Sequence, residues 1–378
     1  MRILELINRL GLGGAERMLA TLAFALQDRG HSVHIICLRE FADAPVPRES
    51  FEAAGVSLWE LKKTDGFSFS VLRSIADYCR SEEISVIHAH THQVNHYAVG
   101  AALLAGVPVV VNTIHGISAL NMQWWAKGLF RASCMLTDRV VGVCDEVKVA
   151  AQERLALPAS KTEVIYNGIQ PHEYLSIAPR RADGRFVFGT AGRLAAVKNQ
   201  RSMIEAFAMV YQRHPHCRLE ILGSGELQQE LELLAEELGV RDAVLFRGFS
   251  CEVSAFLAGI DCFVLSSRSE GLPMALLEAM AAAVPVVTTA VGGVTEVVEE
   301  AQCGWLCRPD DSATLADTML CAIHAADRLE RGMRGRASVL RRYTEAVMAE
   351  SYIELFSRML EVRQHARPAP DRSSIERA

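Results

Sequence analysis

Two carboxylates flank a turn and the start of a helix in the last third of the sequence. Glu270 and Glu278 stand eight positions apart in the stretch SRSEGLPMALLEAMAAAVP, directly after the apolar run Cys262–Leu265. Pro273 suits the first position of a helix, because the N–H that it lacks has no intrahelical partner there. The free N–H groups of Gly271–Met274 then make an anion site at a positive helix end. An anion site beside two carboxylates suits a ligand with both phosphates and hydroxyls, such as a nucleoside diphosphate sugar.

A basic loop follows the first predicted strand of the second half. In the stretch TAGRLAAVKNQ, Arg193 and Lys198 precede a helix that begins near Asn199. The guanidinium group offers a fork of donors to phosphate oxygens, and the ammonium group offers a compact charge. The loop therefore predicts a phosphate-binding site, with a solvated basic turn as the simpler alternative.

A glycine-rich turn, GLGGAE, follows the first predicted strand of the chain. Its adjacent Gly13 and Gly14 allow the main chain to approach a phosphate closely. A dinucleotide-binding turn is a rival interpretation, but its third glycine would stand where this sequence has Glu16. For this motif alone, a tight strand–helix turn is the default interpretation.

Four histidines lie near the ends of two predicted strands in the first half. They are His88, His90 and His92 in VIHAHTH, and His115 in TIHGIS. At a spacing of two, the first three would share one face of a strand, as metal ligands could. No Asp or Glu follows them before Asp138, so the ligand set is incomplete and we expect no metal.

Length and composition narrow the class of protein. The chain has 378 residues, a net charge of −6 and 50% hydrophobic residues, which suggests two domains and argues against nucleic-acid binding. Its 10 cysteines are scattered without a CxxC pair, as in a reducing cytosol. No run reaches the ~18 apolar residues that span a bilayer, and the first residues fit a strand better than a signal segment. We therefore expect a cytoplasmic protein.

Short apolar runs alternate with helical patterns along the whole chain, which predicts a doubly wound α/β architecture. The predicted domains are residues 1–169 and 185–342, joined by a linker at 170–184 that is rich in proline, glycine and charge. A helix over 343–362 and a disordered tail over 363–378 complete the prediction. Ligands of such folds bind at the carboxyl ends of strands, where the motifs described above lie.

These motifs together resemble the retaining glycosyltransferases of group 1, or family 4, which have the GT-B fold. The Glu-x7-Glu stretch in its strand–turn–helix setting resembles the family signature, and GRL-x3-KN at Gly192–Asn199 resembles its pyrophosphate clamp. LGSGE, FRGF and VGGVTEVV follow the family's order. The resemblance, which extends from about Arg2 to Leu360, implies two Rossmann-like domains facing a cleft. It also implies that the helix over 343–362 crosses back to the first domain, and that no cofactor or metal is required.

The resemblance further implies roles for individual residues. Glu278 would bind the ribose hydroxyls of the donor, and Glu270 a hydroxyl of the donor sugar. His115 would contact the sugar from the first domain, with His90 and His92 on the acceptor side. The catalytic residues implied are His115, Glu270, Arg193 and Lys198. The donor-binding residues implied are Gly13, Gly14, Gly192, Arg193, Lys198, Gly223, Gly225, Phe249, Glu270, Gly271, Leu272, Pro273, Met274 and Glu278.

The stretch between Ile84 and Thr137 contains no carboxylate. The aromatic and basic side chains of interest in it are Trp124, Trp125, Lys127, Phe130 and Arg131. One interpretation is an amphipathic helix that packs its aromatic side chains into the core. The other is a face that rests on the anionic inner surface of the cytoplasmic membrane, because two adjacent tryptophans cannot both point into one narrow helix stripe.

The predicted activity is the transfer of a sugar from a nucleotide diphosphate sugar, preferably UDP-linked, to a hydroxyl of a glycan or lipid-linked acceptor. The resemblance implies that the anomeric configuration is retained, and it points to bacterial surface polysaccharide or glycolipid synthesis. A nucleotide-sugar 2-epimerase of the same fold, or a non-catalytic nucleotide-sugar-binding protein, would also fit. A glycosidase uses two carboxylates as well, but it needs no cationic phosphate site.

Overall fold

The computed structural model describes residues 1–11, 13–41, 46–177 and 184–365. The strands in these ranges are β1 (Arg2–Ile7), β2 (Ser32–Cys37), β3 (Ser57–Glu60), β4 (Val86–His90), β5 (Val109–Ile114), β6 (Arg139–Gly142), β7 (Thr162–Val164), β8 (Val187–Ala191), β9 (Arg218–Leu222), β10 (Val244–Gly248), β11 (Cys262–Leu265), β12 (Val286–Thr289) and β13 (Gly304–Cys307). The α-helices are α1 (Gly14–Asp28), α2 (Arg48–Ala53), α3 (Phe69–Ser81), α4 (His92–Ala105), α5 (Trp124–Leu136), α6 (Asp145–Leu155), α7 (His172–Leu175), α8 (Gln200–Arg213), α9 (Gln228–Glu237), α10 (Val253–Ala258), α11 (Met274–Ala281), α12 (Gly293–Ala301), α13 (Ser312–His324), α14 (Arg328–Arg342) and α15 (Glu345–His365). Short 3-10 helices occupy Ile117–Leu120, Ala159–Lys161, Ala196–Lys198 and Arg241–Ala243.

The strands form two parallel sheets. The first sheet has seven strands in the order β3-β2-β1-β4-β5-β6-β7, and the second has six in the order β10-β9-β8-β11-β12-β13. Each order changes direction beside its first strand, between β1 and β4 and between β8 and β11. Crossing loops diverge at such a point and leave a crevice at the carboxyl ends of the strands. The prediction of two doubly wound α/β domains is confirmed.

Both faces of the sheets are covered by helices, so the central strands are almost wholly apolar. Strand β1 is buried along all but its first residue, and its apolar side chains divide between the core clusters on its two sides. Glu5 is the exception, because its carboxylate is fully buried in the middle of this strand. Such a group is rarely buried without partners. It therefore marks a polar cluster inside the first domain.

The last helix joins the two domains by returning to the first one. Main-chain hydrogen bonds connect Ile169 to Tyr343 and Glu345 at its start, both at 2.9 Å. Farther along, Tyr352 and Phe356 of α15 are fully buried, and α15 packs on α1 and β5. The C-terminal helix is thus part of the hydrophobic core of the first domain.

Three element boundaries differ from those that the sequence suggests. Helix α15 continues to His365, so residues 363–365 are helical, while the rest of the predicted tail lies outside the described residues. The predicted linker contains α7, whose Tyr174 is buried, and residues 178–183 lie outside the described part of the chain. Helix α5 begins at Trp124, two residues after Met122, where the sequence suggests its start.

Candidate active site between the two sheets

The loops that follow the central strands of one sheet lie opposite the corresponding loops of the other sheet. From the first domain come the Gly13 turn after β1 and His115 after β5, and from the second come Arg193 after β8 and Glu270 after β11. Helices that begin next to these loops direct free N–H groups toward the same edge of each sheet. The structure therefore brings Gly13, His115, Arg193 and Glu270 to one interdomain cleft.

Arg193 lies in a loop that packs against the turn containing Gly223 and Gly225. The Gly192 N–H donates to Leu222 O at 2.9 Å, and the Leu194 N–H donates to Ser224 O at 3.0 Å. A Cβ on Gly223 would lie 2.0 Å from Gly192 O, and one on Gly225 would lie 2.2 Å from Leu194 O. Gly223 and Gly225 are thus required by packing behind the Arg193 loop, whether or not they touch a ligand.

Lys198 and Glu270 form an ion pair within the second domain. Lys198 Nζ lies 2.6 Å from Glu270 Oε1, and Ser267 Oγ donates to the same oxygen at 2.6 Å. Lys198 has two further donor positions. The pair can therefore hold the ammonium group in place while it also binds an anion.

The main chains of the two domains come into contact at Gly271. A Cβ on this residue would lie 2.1 Å from the carbonyl oxygen of His115. The next residue is also fixed across the cleft, because Asn167 Nδ2 donates to Leu272 O at 2.7 Å. Pro273 is the N-cap residue of α11 and not its first helical residue, and Met274 begins the helix. The predicted anion site at 271–274 consequently faces the first domain directly.

Glu278, the predicted ribose ligand, is bound by a residue that the sequence analysis did not select. Arg17 Nη2 of α1 lies 2.5 Å from Glu278 Oε1, which makes an ion pair between the domains. Glu278 is 2% exposed, and its Oε2 has no hydrogen-bond partner among the described residues. Burial raises the pKa of Glu278, and the charge of Arg17 opposes this rise. The position of Arg17 next to Glu16 in the GGAER stretch was the available signal.

The Gly13 turn is filled by a carboxylate of the protein itself. Glu16 folds back over Gly13, so that a Cβ on Gly13 would lie 2.1 Å from Glu16 Oε2. Burial raises the pKa of Glu16, whereas the charge of Arg193 lowers it, which places Arg193 near this turn. Gly14 faces the other domain, since its Cβ would lie 3.9 Å from Met274 Cγ. The turn therefore lies between Arg193 and the start of α11.

Phe249 lies at the rim of the second sheet. It follows β10, whose Gly248 O accepts the N–H of Gly223 at 2.8 Å, and its side chain is 50% exposed. Phe249 therefore lies beside the Gly223 turn, and its donor-binding role stays a prediction.

His90 does not line an acceptor surface in this structure. It is fully buried, with its Nε2 at 2.6 Å from Glu5 Oε2 and its Nδ1 at 3.1 Å from His115 Nε2. Burial lowers the pKa of His90 to about 4, and it lowers the pKa of His115 further below its ordinary value. His92 begins α4 and packs against Phe130, and burial lowers its pKa as well. Only His115 reaches the interdomain contact.

The carboxylate that the predicted histidine set lacked comes from β1. Glu5, His88 and His90 place one possible ligand atom each within 4.8 Å of one another. The 2.6 Å separation of His90 from Glu5 is that of a hydrogen bond, because two ligands of a tetrahedral zinc ion would lie about 3.3 Å apart. The sequence missed Glu5 because only the pairing of β1 with β4 brings it opposite His88. That no metal is required stays a prediction.

Helix α5 exposes its tryptophans and buries its phenylalanine. Trp124 and Trp125 are 83% and 61% exposed, and Leu129 on the same helix is 55% exposed. Phe130 is buried, so its predicted place on a membrane-facing surface is wrong. Arg131 is exposed, although its Nε donates to Leu155 O at 2.9 Å. Within the described ranges, we find no helix with the length and hydropathy of a membrane span.

We expect Arg17→Met to destabilise the protein more at high pH than at low pH. Without Arg17, the pKa of buried Glu278 rises further above its value in the unfolded chain. Ionised Glu278 then opposes folding as pH rises, and protonation relieves this cost as pH falls. Urea unfolding should show a loss of about 3 kcal/mol near pH 8 and a much smaller loss near pH 5.

Two controls accompany this measurement. Arg201→Met removes an exposed ion pair with Glu230 and should change the stability by less than about 0.5 kcal/mol at either pH. In a Glu278→Gln background, Arg17→Met should cost far less than in the wild type. An equal loss at both pH values would show that Arg17 stabilises the protein by packing and not by neutralising Glu278.

Comparison with known proteins gives the family. The model of glycosyl transferases group 1 matches residues 175–334, and that of Glycosyltransferase Family 4 matches residues 12–173. The chain is 24% identical to N-acetyl-alpha-D-glucosaminyl L-malate synthase of Bacillus anthracis over 91% of its own length and 94% of that protein. It is 27% identical to an Escherichia coli UDP-Gal:alpha-D-GlcNAc-diphosphoundecaprenol alpha-1,3-galactosyltransferase over 64% of this chain and 66% of that one.

The fold is shared with solved structures of the same kind. HepE of Anabaena in complex with UDP superposes with a TM-score of 0.80 at 23% identity, over 95% of this chain and 100% of that chain. The two family models together account for both domains and meet at the linker. The chain belongs to the group 1, or family 4, glycosyltransferases and has their GT-B fold.

Proposed function

We propose that this glycosyltransferase moves a sugar from a UDP-linked donor to a hydroxyl of a glycan or lipid-linked acceptor. The observation that carries this proposal is the meeting of Lys198 and Glu270 with the Gly271–His115 contact at one cleft. A cation that can bind a diphosphate, Lys198, thereby lies beside a carboxylate that can accept hydrogen bonds from sugar hydroxyls, Glu270. The UDP bound to HepE and the UDP-Gal named for the galactosyltransferase support a uridine donor.

In the proposed complex, the donor binds to charged side chains that the protein itself pairs with one another. The diphosphate replaces Glu16 beside Arg193 and the Gly13 turn, and it shares Lys198 with Glu270. Departure of UDP builds negative charge on the leaving phosphate, which fixed cations and helix N–H groups stabilise. The ribose hydroxyls bind Glu278 after the Arg17–Glu278 ion pair has partly opened.

We further propose that transfer proceeds with retention and without a metal. Glu270, the carboxylate assigned to the donor sugar, is already held by Lys198 and Ser267, and the cations at 193 and 198 can balance the diphosphate. The acceptor hydroxyl then attacks from the face that UDP leaves, and the departing phosphate takes its proton. Retention requires the product to have the anomeric configuration of the donor, which proton NMR of the first-formed product measures.

An open groove in the first domain suits the acceptor. It begins at the 3-10 turn after His115, has a volume of about 900 Å3 and is bordered by Met122, Trp124, Lys127 and Arg154. Apolar and cationic side chains in one groove fit a lipid-linked diphosphate. The diphosphoundecaprenol-linked acceptor in the name of the E. coli galactosyltransferase gives this proposal its support from a relative.

The donor site can be tested with UDP as the probe. We expect Arg193→Ala and Lys198→Ala each to weaken UDP binding about 10- to 100-fold by calorimetry, because a hydrogen bond from a charged group is worth about 1.5–3 kcal/mol. Arg201→Ala, which removes an exposed cation on α8, should bind as the wild type does. If the Arg193 variant binds UDP with wild-type affinity, the site assignment is wrong. Conversion of the sugar donor without an acceptor would instead support the epimerase.

The closed arrangement of the domains can be tested at Gly271. A Cβ there would lie 2.1 Å from His115 O, so Gly271→Ala must push the two domains apart while keeping its N–H. A displacement of about 1 Å should lower kcat/KM about 100-fold. UDP affinity should change much less, because Arg193 and Lys198 lie in one domain.

Gly128→Ala is the matched control for this variant. Gly128 lies on α5, where an added Cβ meets no atom within 4 Å, so its kcat/KM should equal that of the wild type. Equal activity of Gly271→Ala and the wild type would contradict catalysis in the closed arrangement.

We also propose that the exposed tryptophans of α5 hold the protein on an anionic membrane. Their side chains are among the most exposed apolar groups, and Lys127 lies on the same helix. Trp124→Ala/Trp125→Ala should lose flotation with phosphatidylglycerol vesicles, whereas Leu233→Ala, an exposed position of the second domain, should float like the wild type. Wild-type protein that stays at the bottom of the gradient would exclude this attachment.

A further inference from the structure

A buried carboxylate lies behind His115 and reaches it through one other side chain. Glu5 pairs in register with His88 on the neighbouring strand, and the side chain of His90 lies two positions along the same face. His88 Nδ1 lies 2.9 Å and His90 Nε2 lies 2.6 Å from Glu5 Oε2. All three side chains are fully buried. Glu5 therefore begins two branches of polar contacts inside the first domain.

The two branches lead to different places. His88 Nε2 lies 2.8 Å from Thr113 Oγ1, which lies 2.9 Å from the hydroxyl of Tyr352 on α15. This branch ends in the core. His90 Nδ1 lies 3.1 Å from His115 Nε2, and His115 borders Gly271 of the second domain. Only the His90 branch connects Glu5 to the cleft.

The protons on the His90 branch follow from the charges. Burial alone would raise the pKa of Glu5, but His88 and His90 lower it to about 2, so the carboxylate is ionised at neutral pH. An ionised carboxylate only accepts, and His90 must therefore donate to it from Nε2. The low pKa of His90 leaves this ring neutral, with a bare Nδ1. His115 must then donate from Nε2 to that nitrogen.

The last ring in the branch is left with one free acceptor. His115 is neutral because burial lowers its pKa, so a proton on Nε2 leaves Nδ1 bare. This Nδ1 is buried and has no hydrogen-bond partner among the described residues. A buried acceptor without a partner is costly, and a ligand hydroxyl can satisfy it. The neighbouring cations and carboxylates mark the ligand as a nucleotide sugar.

We propose that Glu5 is a positioning residue that acts through His90 to fix the tautomer of His115, so that His115 Nδ1 accepts a hydrogen bond from a hydroxyl of the donor sugar. This inference rests on the proposed function. The hydroxyl gains a partner whose orientation is set before the sugar arrives. A site built to bind a hydroxyl also rejects the analogue that lacks it, because its own polar group is then left unpaired.

The tautomer can be measured without any ligand. In protein labelled with 15N-histidine, the signals of His115 are assigned by their loss in His115→Gln, and their shifts distinguish protonated from bare ring nitrogens. We expect a protonated Nε2 and a bare Nδ1 in the wild type. His90→Phe and Glu5→Gln should each give a mixture of tautomers.

His88→Phe is the matched control. His88 is as buried as His90 and lies 2.9 Å from Glu5, but its hydrogen bond leads to Thr113 and not to His115. The His115 signals should therefore keep their wild-type shifts in this variant. A protonated Nδ1 in the wild type, or equal changes in His88→Phe and His90→Phe, would overturn the proposal. Should Glu5→Gln fail to fold, the comparison of these two phenylalanine variants still decides it.

Kinetics separate positioning from general support of the fold. With UDP-glucose or whichever UDP-sugar is turned over fastest, Glu5→Gln and His90→Phe should lower kcat about 10-fold or more, while UDP, which has no sugar, should bind within about 3-fold of wild type. The role of the sugar hydroxyl can be tested with donors that each lack one hydroxyl. For one of these donors, kcat/KM with the wild type should be about 10-fold lower than for the full donor, and the difference should be far smaller with these variants. If both variants still prefer the full donor to that deoxy donor as strongly as the wild type does, the proposed role of His115 Nδ1 is wrong. Wild-type protein that binds no UDP would refute the proposed function, while the NMR result would stand.

Discussion

The two domains of this enzyme meet main chain against main chain, and the proposed donor site depends on that closeness. Gly271 has no room for a side chain against His115 O, and a Cβ on Gly293 would lie 2.7 Å from Cys144 Cβ across the same boundary. The α15 crossing imposes a similar limit, because a Cβ on Gly168 would lie 2.3 Å from Thr344 O. Glycines at these points let the charged side chains and the imidazole of His115 from the two domains lie close to one another.

That volume is electrostatically balanced before any substrate arrives. Lys198 faces Glu270, Arg17 faces Glu278, and Arg193 lies near enough to Glu16 to lower its pKa. Burial raises the pKa of both Glu16 and Glu278, so these acids are the least stable anions of the set. In the proposed complex, a diphosphate that binds Arg193 and Arg17 in their place would replace buried carboxylates that are costly to ionise. This exchange would favour a charged donor over an uncharged ligand.

The sequence was sufficient for the architecture and for one half of the site. Alternating apolar runs identified two parallel sheets, and the loops at 193–198 and 270–278 are local motifs whose residues act where they stand. The residues that were missed act at a distance along the chain. Arg17 meets Glu278 only because α1 packs against α11, and Glu5 meets His90 only because β1 pairs with β4. The local signal for Glu5 was an acidic residue inside a strand that is buried on both faces. Such a residue indicates that a polar partner exists, but not which residue it is.

The arrangement also assigns nucleotide binding and the sugar-transfer step largely to different domains. In the proposed complex, Arg193, Lys198 and the Glu270–Met274 turn all come from the second domain, which therefore supplies most of the nucleotide contacts. The donor sugar would lie where His115 meets Gly271, so its orientation would depend on the position of both domains and on the buried branch from Glu5. Interactions that form fully only in the closed cleft can be stronger in the transition state than with the donor alone, and such interactions raise kcat. On this proposal the first domain contributes chiefly to the transfer step, because His115 and the proposed acceptor groove at residues 120–127 both belong to it.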